Sequence, residues 1–282
     1  MHTRYDIIFS LILRNTSVQA KFDVIMGTHF KDGILNPCHY PSRFTGGFER
    51  NPFKKRTRMV AWISSHCHTR SGGREKFVKT LQKYMDVEIF GKCADKDYNI
   101  SFPDKEHRNE EMKFYSNFKF YIAAENDMTK GYVSEKLFVG LGSGAVPVYF
   151  GASEINEFPK LDGRTDWFIN ARDFPTVESL ANFLKDMNET EWRKYLRWQS
   201  YSRKGGEYMP NAPRSFKECF ETKNIRGFSA GQKHRHVFVC KLCNPEYIEE
   251  VRNRTFVPVG DNNPISNEEE IYPPAWEEEY RI

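Results

Sequence analysis

The chain has 282 residues, 39% hydrophobic and 15% aromatic, with a net charge of +4. That length accommodates about two domains with real cores. So mild a charge, with carboxylates spread among the Lys and Arg residues, excludes a nucleic-acid binder held by electrostatics, and no run of about 18 apolar residues reads as a membrane span.

In chain order, residues 1–57 are irregular, with Gly, Pro and Asn scattered through "GTHFKDGILNPCHYPSRFTGGFERNPF". "DIIFSLIL" (Asp6 to Leu13) is too short to span a bilayer, and no small-residue cleavage site follows it to make a signal peptide. "KKRTR" (Lys54 to Arg58) is the compact basic run, expected to be a solvated linker. From Met59 the pattern becomes regular. "MVAWISS" reads as a buried strand, "REKFVKTLQKYM" as a helix with Phe77, Val78, Leu81 and Met85 on one face, and "VEIFG" as the next strand. A charged connector, "DKEHRNEEMKFYSN", leads to strand "FKFYIAAE", helix "SEKLFVGLGSG" and strand "AVPVYFG". "WFINARDF" is a further candidate strand. Two helices follow, "PTVESLANFLKDM" with Thr176 as N-cap, and "ETEWRKYLRWQSY". Beyond Asn244 the chain turns acidic and Pro-containing, as in "NEEEIYPPAWEEEYRI", and a solvated, poorly ordered tail is expected over 244–282. No internal repeat is visible.

Strands alternating with helices predict an α/β fold with a parallel sheet covered on both faces. Ligands of such sheets bind beyond the carboxyl ends of the strands, where the helices begin. The polar residues of "YIAAENDMTKGYVSEKLF" gather at that edge: Glu125, Asn126, Tyr132, Glu135 and Lys136. A lysine in a first helical turn can join unpaired backbone N–H groups and the helix dipole in holding a phosphate. Asn126 and Tyr132 suit hydroxyl or phosphate oxygens, and Glu135 can accept from a sugar hydroxyl. Arg74 opens the helix after strand "MVAWISS", so Arg74 and Lys136 form a candidate diphosphate clamp from two strand ends. Ordinary helix capping behind Ser134 explains the same residues equally well. No Gly-rich loop of the P-loop or dinucleotide type is present.

Six cysteines (Cys38, Cys67, Cys93, Cys219, Cys240, Cys243) and four N-x-S/T acceptors (Asn15, Asn99, Asn188, Asn253) together point to an oxidising, lumenal compartment. A zinc site using His234 and His236 with Cys240 and Cys243 is a rival use of two of those cysteines, although the ligand order differs from common zinc fingers. His66 and His68 lie near the candidate site and read as loop polar residues rather than catalysts.

The stretch "YIAAENDMTKGYVSEKLFVGLGSGAVPVYFG", with the block "SSHC…SGGREKFVKTLQKY…FGKC" before it, resembles the α1,3-fucosyltransferases of glycosyltransferase family 10. The likeness runs from about Phe22 to Leu242 and is strong between Val60 and Ala181. It implies a GT-B fold, with a Rossmann-like domain at 58–243 holding GDP-fucose and residues 1–57 as the remnant of a truncated N-terminal acceptor domain. It implies inverting transfer of fucose to O3 of N-acetylglucosamine in a glycan. By position, Arg74 and Lys136 would neutralise the diphosphate, Asn126 and Tyr132 would contact nucleotide and phosphate, and Glu135, the candidate catalytic residue, would sit beside the fucose ring. No cofactor or metal is required on this reading, a divalent cation being at most stimulatory. Residence in the Golgi lumen as a type II membrane protein is implied, with no anchor visible in this chain. Cys67 and Cys93 bracket a strand–helix–strand unit and are expected to pair; Cys240 and Cys243 resemble the family's C-terminal CxxC, which is usually oxidised. Two departures stand out. Ala124 replaces the usual aromatic, and no "ESP"-like Glu, the residue that deprotonates the acceptor, precedes "KFDVIMGTH".

Overall fold

The computed structural model describes residues 50–67, 73–94, 108–128, 132–151, 155, 167–196 and 276, together with two short strands near the N-terminus. Those strands, β1 (Met26–Gly27) and β2 (Ile34–Leu35), pair in parallel. The main body comprises β3 (Arg58–Ile63), α1 (Arg74–Leu81), β4 (Val87–Phe90), α2 (Arg108–Tyr115), β5 (Phe118–Ala124), α3 (Glu135–Ser143), β6 (Val146–Phe150), β7 (Ile169–Asn170), α4 (Val177–Asp186) and α5 (Glu189–Lys194). Five of the strands make a parallel sheet in the order β4-β3-β5-β6-β7. The fold is α/β.

The sheet is buried on both faces, which is why its strands read as continuous apolar runs. Successive residues of a strand point to opposite sides. Accordingly Val60, Trp62, Phe120, Ile122, Val148 and Phe150 pack with Phe77, Val78 and Leu81 of α1 and Leu180 and Leu184 of α4. Ala61, Tyr121, Ala123 and Tyr149 pack on the other side with Tyr115 of α2 and Leu137 and Leu141 of α3. Thr176 caps α4 in a reciprocal capping box with Ser179, as its position before the apolar run predicts.

Several expectations are corrected. The charged connector contains α2, because Met112 and Tyr115, three residues apart, are both buried against the sheet. Of "WFINARDF" only Ile169–Asn170 is strand, and the chain then turns into a 3-10 turn at Ala171–Asp173. The basic run is not a solvated linker throughout. Lys54 and Lys55 are exposed, but Arg56 is 2% exposed. Its guanidinium donates to the carbonyls of Asn51 (2.9 Å), Phe118 (2.6 Å) and Ser143 (3.3 Å) and lies 5.0 Å from the Trp192 ring centroid. Burial, with the Arg50 charge adding to it, lowers the Arg56 pKa to about 9, so the group remains a cation at neutral pH. Arg50 also donates to Gly142 O at 2.8 Å, and Asn51 to Asn117 Oδ1 at 3.0 Å. Arg50, Asn51 and Arg56 are therefore tied to the sheet unit.

The tail differs at one residue. Trp276 is fully buried, with its ring 5.7 Å from Phe77 and 6.1 Å from Phe150, nearly parallel to both. Its indole N–H donates to Phe174 O at 2.8 Å. An indole with a satisfied N–H gains from a buried aromatic site, and an acidic composition around it gives no hint of that.

Candidate active site at the carboxyl edge of the sheet

From β3 the chain crosses through α1 to β4 on one side, and from β5 it crosses through α3 to β6 on the other. α1 and α3 cover opposite faces. The strand order therefore reverses between β3 and β5, and the crevice outside their carboxyl ends is where this architecture binds ligands. The two candidate cations stand at that crevice, since Arg74 is the first residue of α1 and Lys136 the second of α3.

Arg74 spans the crevice. It is 1% exposed, and its guanidinium donates to Ser64 Oγ (2.8 Å), to the carbonyl of His66 and to Asn126 Oδ1. A longer bond of 3.5 Å reaches Ala124 O. The loop after β3 is thus tied to the loop after β5. The helix it opens follows Gly73 at φ 48°, the left-handed conformation that glycine adopts without cost. The loop after β3 is further pinned by the Cys67–Cys93 disulfide, whose Cα atoms are 5.2 Å apart. Gly91 lets β4 close on that loop. Its φ is +80°, and an added Cβ would come within 2.6 Å of Ser64 O.

Lys136 is held differently. Its ammonium donates to Ser134 Oγ at 2.8 Å and lies 3.5 Å from Glu125 Oε2, with 15% of the side chain exposed. Glu125 itself has no exposure. Its Oε1 accepts from the Ser134 N–H at 2.8 Å and its Oε2 from the Ser134 hydroxyl at 2.5 Å. Ser134 is also the N-cap of α3, accepting from the Lys136 N–H. Capping and a charged cluster, rival explanations in the sequence, coexist here.

Asn126 is half-buried beside Arg74. The backbone carbonyl of Tyr132 accepts from the Tyr149 hydroxyl at 3.1 Å, so this loop leans on β6. Glu135 opens α3 and is described by its backbone alone, which puts it between Ser134 and Lys136 at the crevice. The structure thus brings Arg74, Asn126, Tyr132, Glu135 and Lys136 to one edge. A further cation, Arg172, lies there too: its Nε donates to Gly151 O at 3.0 Å, just past β6. The sequence alone assigns nothing to Arg172 or Ser64, and it places Glu125 at this edge without a role. For Glu125 the available signal was an ionisable side chain directly after an apolar strand and directly before Asn126.

His66 contributes its backbone carbonyl to Arg74 rather than its ring. His68, His234, His236, Cys240, Cys243, Asn15, Asn99 and Asn253 lie outside the described residues. Asn188 is exposed and caps α5, accepting from the Glu191 N–H at 3.1 Å. Among the described residues no three His, Cys, Asp or Glu side chains converge as metal ligands, and no helix is long and apolar enough to cross a membrane.

Residues 53–257 match the family model described as "Glycosyltransferase family 10 (fucosyltransferase) C-term". An α-(1,4)-fucosyltransferase of Arabidopsis thaliana is 30% identical over 195 residues, 63% of this chain and 46% of that protein. The α-(1,3)-fucosyltransferase 4 of Bos taurus is 32% identical over 170 residues, covering 59% and 40%. The GDP-fucose protein O-fucosyltransferase 3 of Xenopus laevis is 30% identical over 156 residues, covering 54% and 32%. A crystal structure of an α1,3-fucosyltransferase with GDP-fucose overlays with a TM-score of 0.43 at 17% identity, over 62% of this chain and 51% of that one. The chain thus spans less than half the length of these curated relatives. With the family model covering most of the chain, through the β3–β7 sheet and both cation-bearing helix starts, the chain belongs to glycosyltransferase family 10, the fucosyltransferases.

Proposed function

We propose that this chain binds GDP-fucose at the β3–β5 crevice and serves as the donor half of an inverting, GT-B type fucosyltransferase. The observation that carries the reading is the convergence of Arg74 and Lys136, from helices on opposite faces, on one strand-order reversal. Two helix N-termini and two cations at one crevice suit a diphosphate. Because Arg74 is buried and engaged, Lys136 would be the first cation a diphosphate meets, and Arg74 would need to exchange a protein partner to reach it.

In the reaction, O3 of an acceptor N-acetylglucosamine attacks C1 of fucose from the face opposite the nucleotide. The C1–O bond to the β-phosphate breaks and GDP leaves with the electron pair. Lys136 and Arg74 would stabilise that developing charge, Asn126 and Tyr132 would hold nucleotide and phosphate, and Glu135 would stand beside the sugar. The acceptor proton would pass to a base outside these residues. A divalent cation would be at most stimulatory, and the enzyme would work in the Golgi lumen as a type II membrane protein.

The test has two stages. In thermal-shift titrations, millimolar GDP raises the melting temperature of the full chain and Lys136→Ala removes most of that rise; an unmoved wild-type melting temperature refutes the donor site. Fucose transfer from GDP-fucose is then measured on lactosamine and chitobiose-core acceptors, with a folded protein domain as the third. Transfer to a serine or threonine of the domain alone would replace the N-acetylglucosamine acceptor. GDP binding without any transfer would leave a nucleotide-sugar-binding unit lacking its general base.

A further inference from the structure

We propose that Glu125 is a positioning residue for Lys136, setting affinity for the nucleotide diphosphate without touching it. The inference rests on the donor reading above and deepens it.

Glu125 has no exposure, so it is enclosed away from both nucleotide and acceptor hydroxyl. A carboxylate that deep persists only if its oxygens are paired and hydrogen-bonded. Here they are, by groups at the start of α3: the Ser134 N–H on Oε1, the Ser134 hydroxyl on Oε2, and the Lys136 ammonium 3.5 Å from Oε2. The Lys136 ammonium also donates to Ser134 Oγ at 2.8 Å, which closes a three-membered cluster. A lysine head on a flexible four-carbon stem has many rotamers, and fixing it before a ligand arrives removes an entropic cost of binding. Lys136 retains 15% side-chain exposure, so the anchored side chain is not sealed from the crevice.

The anchor is itself immobile. The Glu125 N–H donates to Phe150 O at 2.9 Å, continuing the β5–β6 ladder past the last strand residue. Gly151 lies against its side chain, where an added Cβ would fall 2.8 Å from Cγ. The next residue, Asn126, is gripped by Arg74. Consecutive residues at the end of β5 are therefore held by the two cations from α1 and α3, and Glu125 sets where the second one stands.

A capping role alone predicts something different. If Glu125 only stabilised the start of α3, Glu125→Gln would weaken the fold and all ligands alike. If it positions Lys136, the loss is confined to ligands with phosphate. Glutamine keeps the shape and one acceptor but aims an N–H₂ at the Ser134 hydroxyl and the ammonium.

The experiment is isothermal titration calorimetry of the full chain with GDP and with guanosine, for wild type, Glu125→Gln, Lys136→Ala and the double variant. Glu125→Gln is expected to weaken GDP by on the order of tenfold or more, the scale of a lost charge-assisted bond. Guanosine should stay within about twofold, and in the Lys136→Ala background Glu125→Gln should add no more than about twofold, the limit of additivity for uncoupled sites. An unchanged GDP affinity, equal losses for GDP and guanosine, or losses that simply add in the double variant would each overturn the inference while leaving the donor site standing. Wild type that binds no GDP refutes the donor reading itself and the inference with it. Should Glu125→Gln lack the wild-type circular dichroism spectrum, Glu125→Asp replaces it. That change keeps the charge but draws the carboxylate back by one methylene from Ser134 and Lys136; a GDP-to-guanosine affinity ratio equal to wild type then overturns the inference.

Discussion

Replacing Arg74 with alanine tests the core of the site, because the side chain is both a structural tie and a candidate phosphate ligand. With 1% exposure, its guanidinium is shared by Ser64 Oγ at 2.8 Å, the His66 carbonyl and Asn126 Oδ1. Each charge-assisted bond contributes roughly 1.5–3 kcal/mol. Water entering the vacated space repays part of this, so a net loss of about 3–5 kcal/mol is expected. For a domain of this size that lowers the melting temperature by about 10 °C. Arg74→Lys should recover less than half of the loss, because an ammonium cannot reproduce a planar fork serving several acceptors. Differential scanning fluorimetry, run with and without GDP, measures both roles at once. A melting temperature within about 2 °C of wild type, at a sensitivity of roughly 2–4 °C per kcal/mol, would refute the idea that Arg74 ties the β3 and β5 loops. A fall in stability with the GDP-induced rise intact would keep the tie and remove Arg74 from the donor contacts.

Other expectations follow from the same geometry. Cys67→Ser with Cys93→Ser, opening a loop of 26 residues' separation, should cost roughly 3.5 kcal/mol by chain entropy, read as a lower urea midpoint. An unchanged midpoint would mean that the bond does not form in solution. Gly151→Ala places a Cβ 2.3 Å from Tyr149 Oη and 2.8 Å from Glu125 Cγ. Neither neighbour can yield, since Tyr149 is fully buried and hydrogen-bonded to Tyr132 O, so a loss of about 1–3 kcal/mol is expected. GDP affinity should fall alongside it, and wild-type values of both would contradict the packing at Glu125. Trp276→Ala should destabilise by about 3–5 kcal/mol, as for other buried aromatics. A denaturation curve superimposable on wild type would show that the tail residue does not plug the Phe77–Phe150 pair.

The α/β reading and the edge that carries the site came from local features. The apolar runs "MVAWI", "FKFYIAA" and "VPVYF" are short, rich in β-branched and aromatic residues, and punctuated at their ends by Gly, Ser and charged residues, which fits strands buried on both faces. α2 escaped notice because its buried residues, Met112 and Tyr115, are separated by a charged and an aromatic residue that blur the period. Arg56 and Trp276 escaped for a different reason. A basic run and an acidic tail look solvated by composition, and only distant partners reveal otherwise: Phe118 and Ser143 carbonyls for Arg56, and the Phe77 and Phe150 rings for Trp276.

The chain's residues by themselves determined the alternation of strand and helix, the polar cluster after β5 and the family signature, since each depends on neighbours within a few turns of backbone. The tertiary fold alone decided that β3 and β5 are adjacent with their helices on opposite faces, which places Arg74 and Lys136 at one crevice. It also decided that Glu125 turns inward to the lysine while Arg74 is enclosed by carbonyls. Strand order and the burial of charge depend on which distant segments meet, and the local pattern of side chains does not encode that.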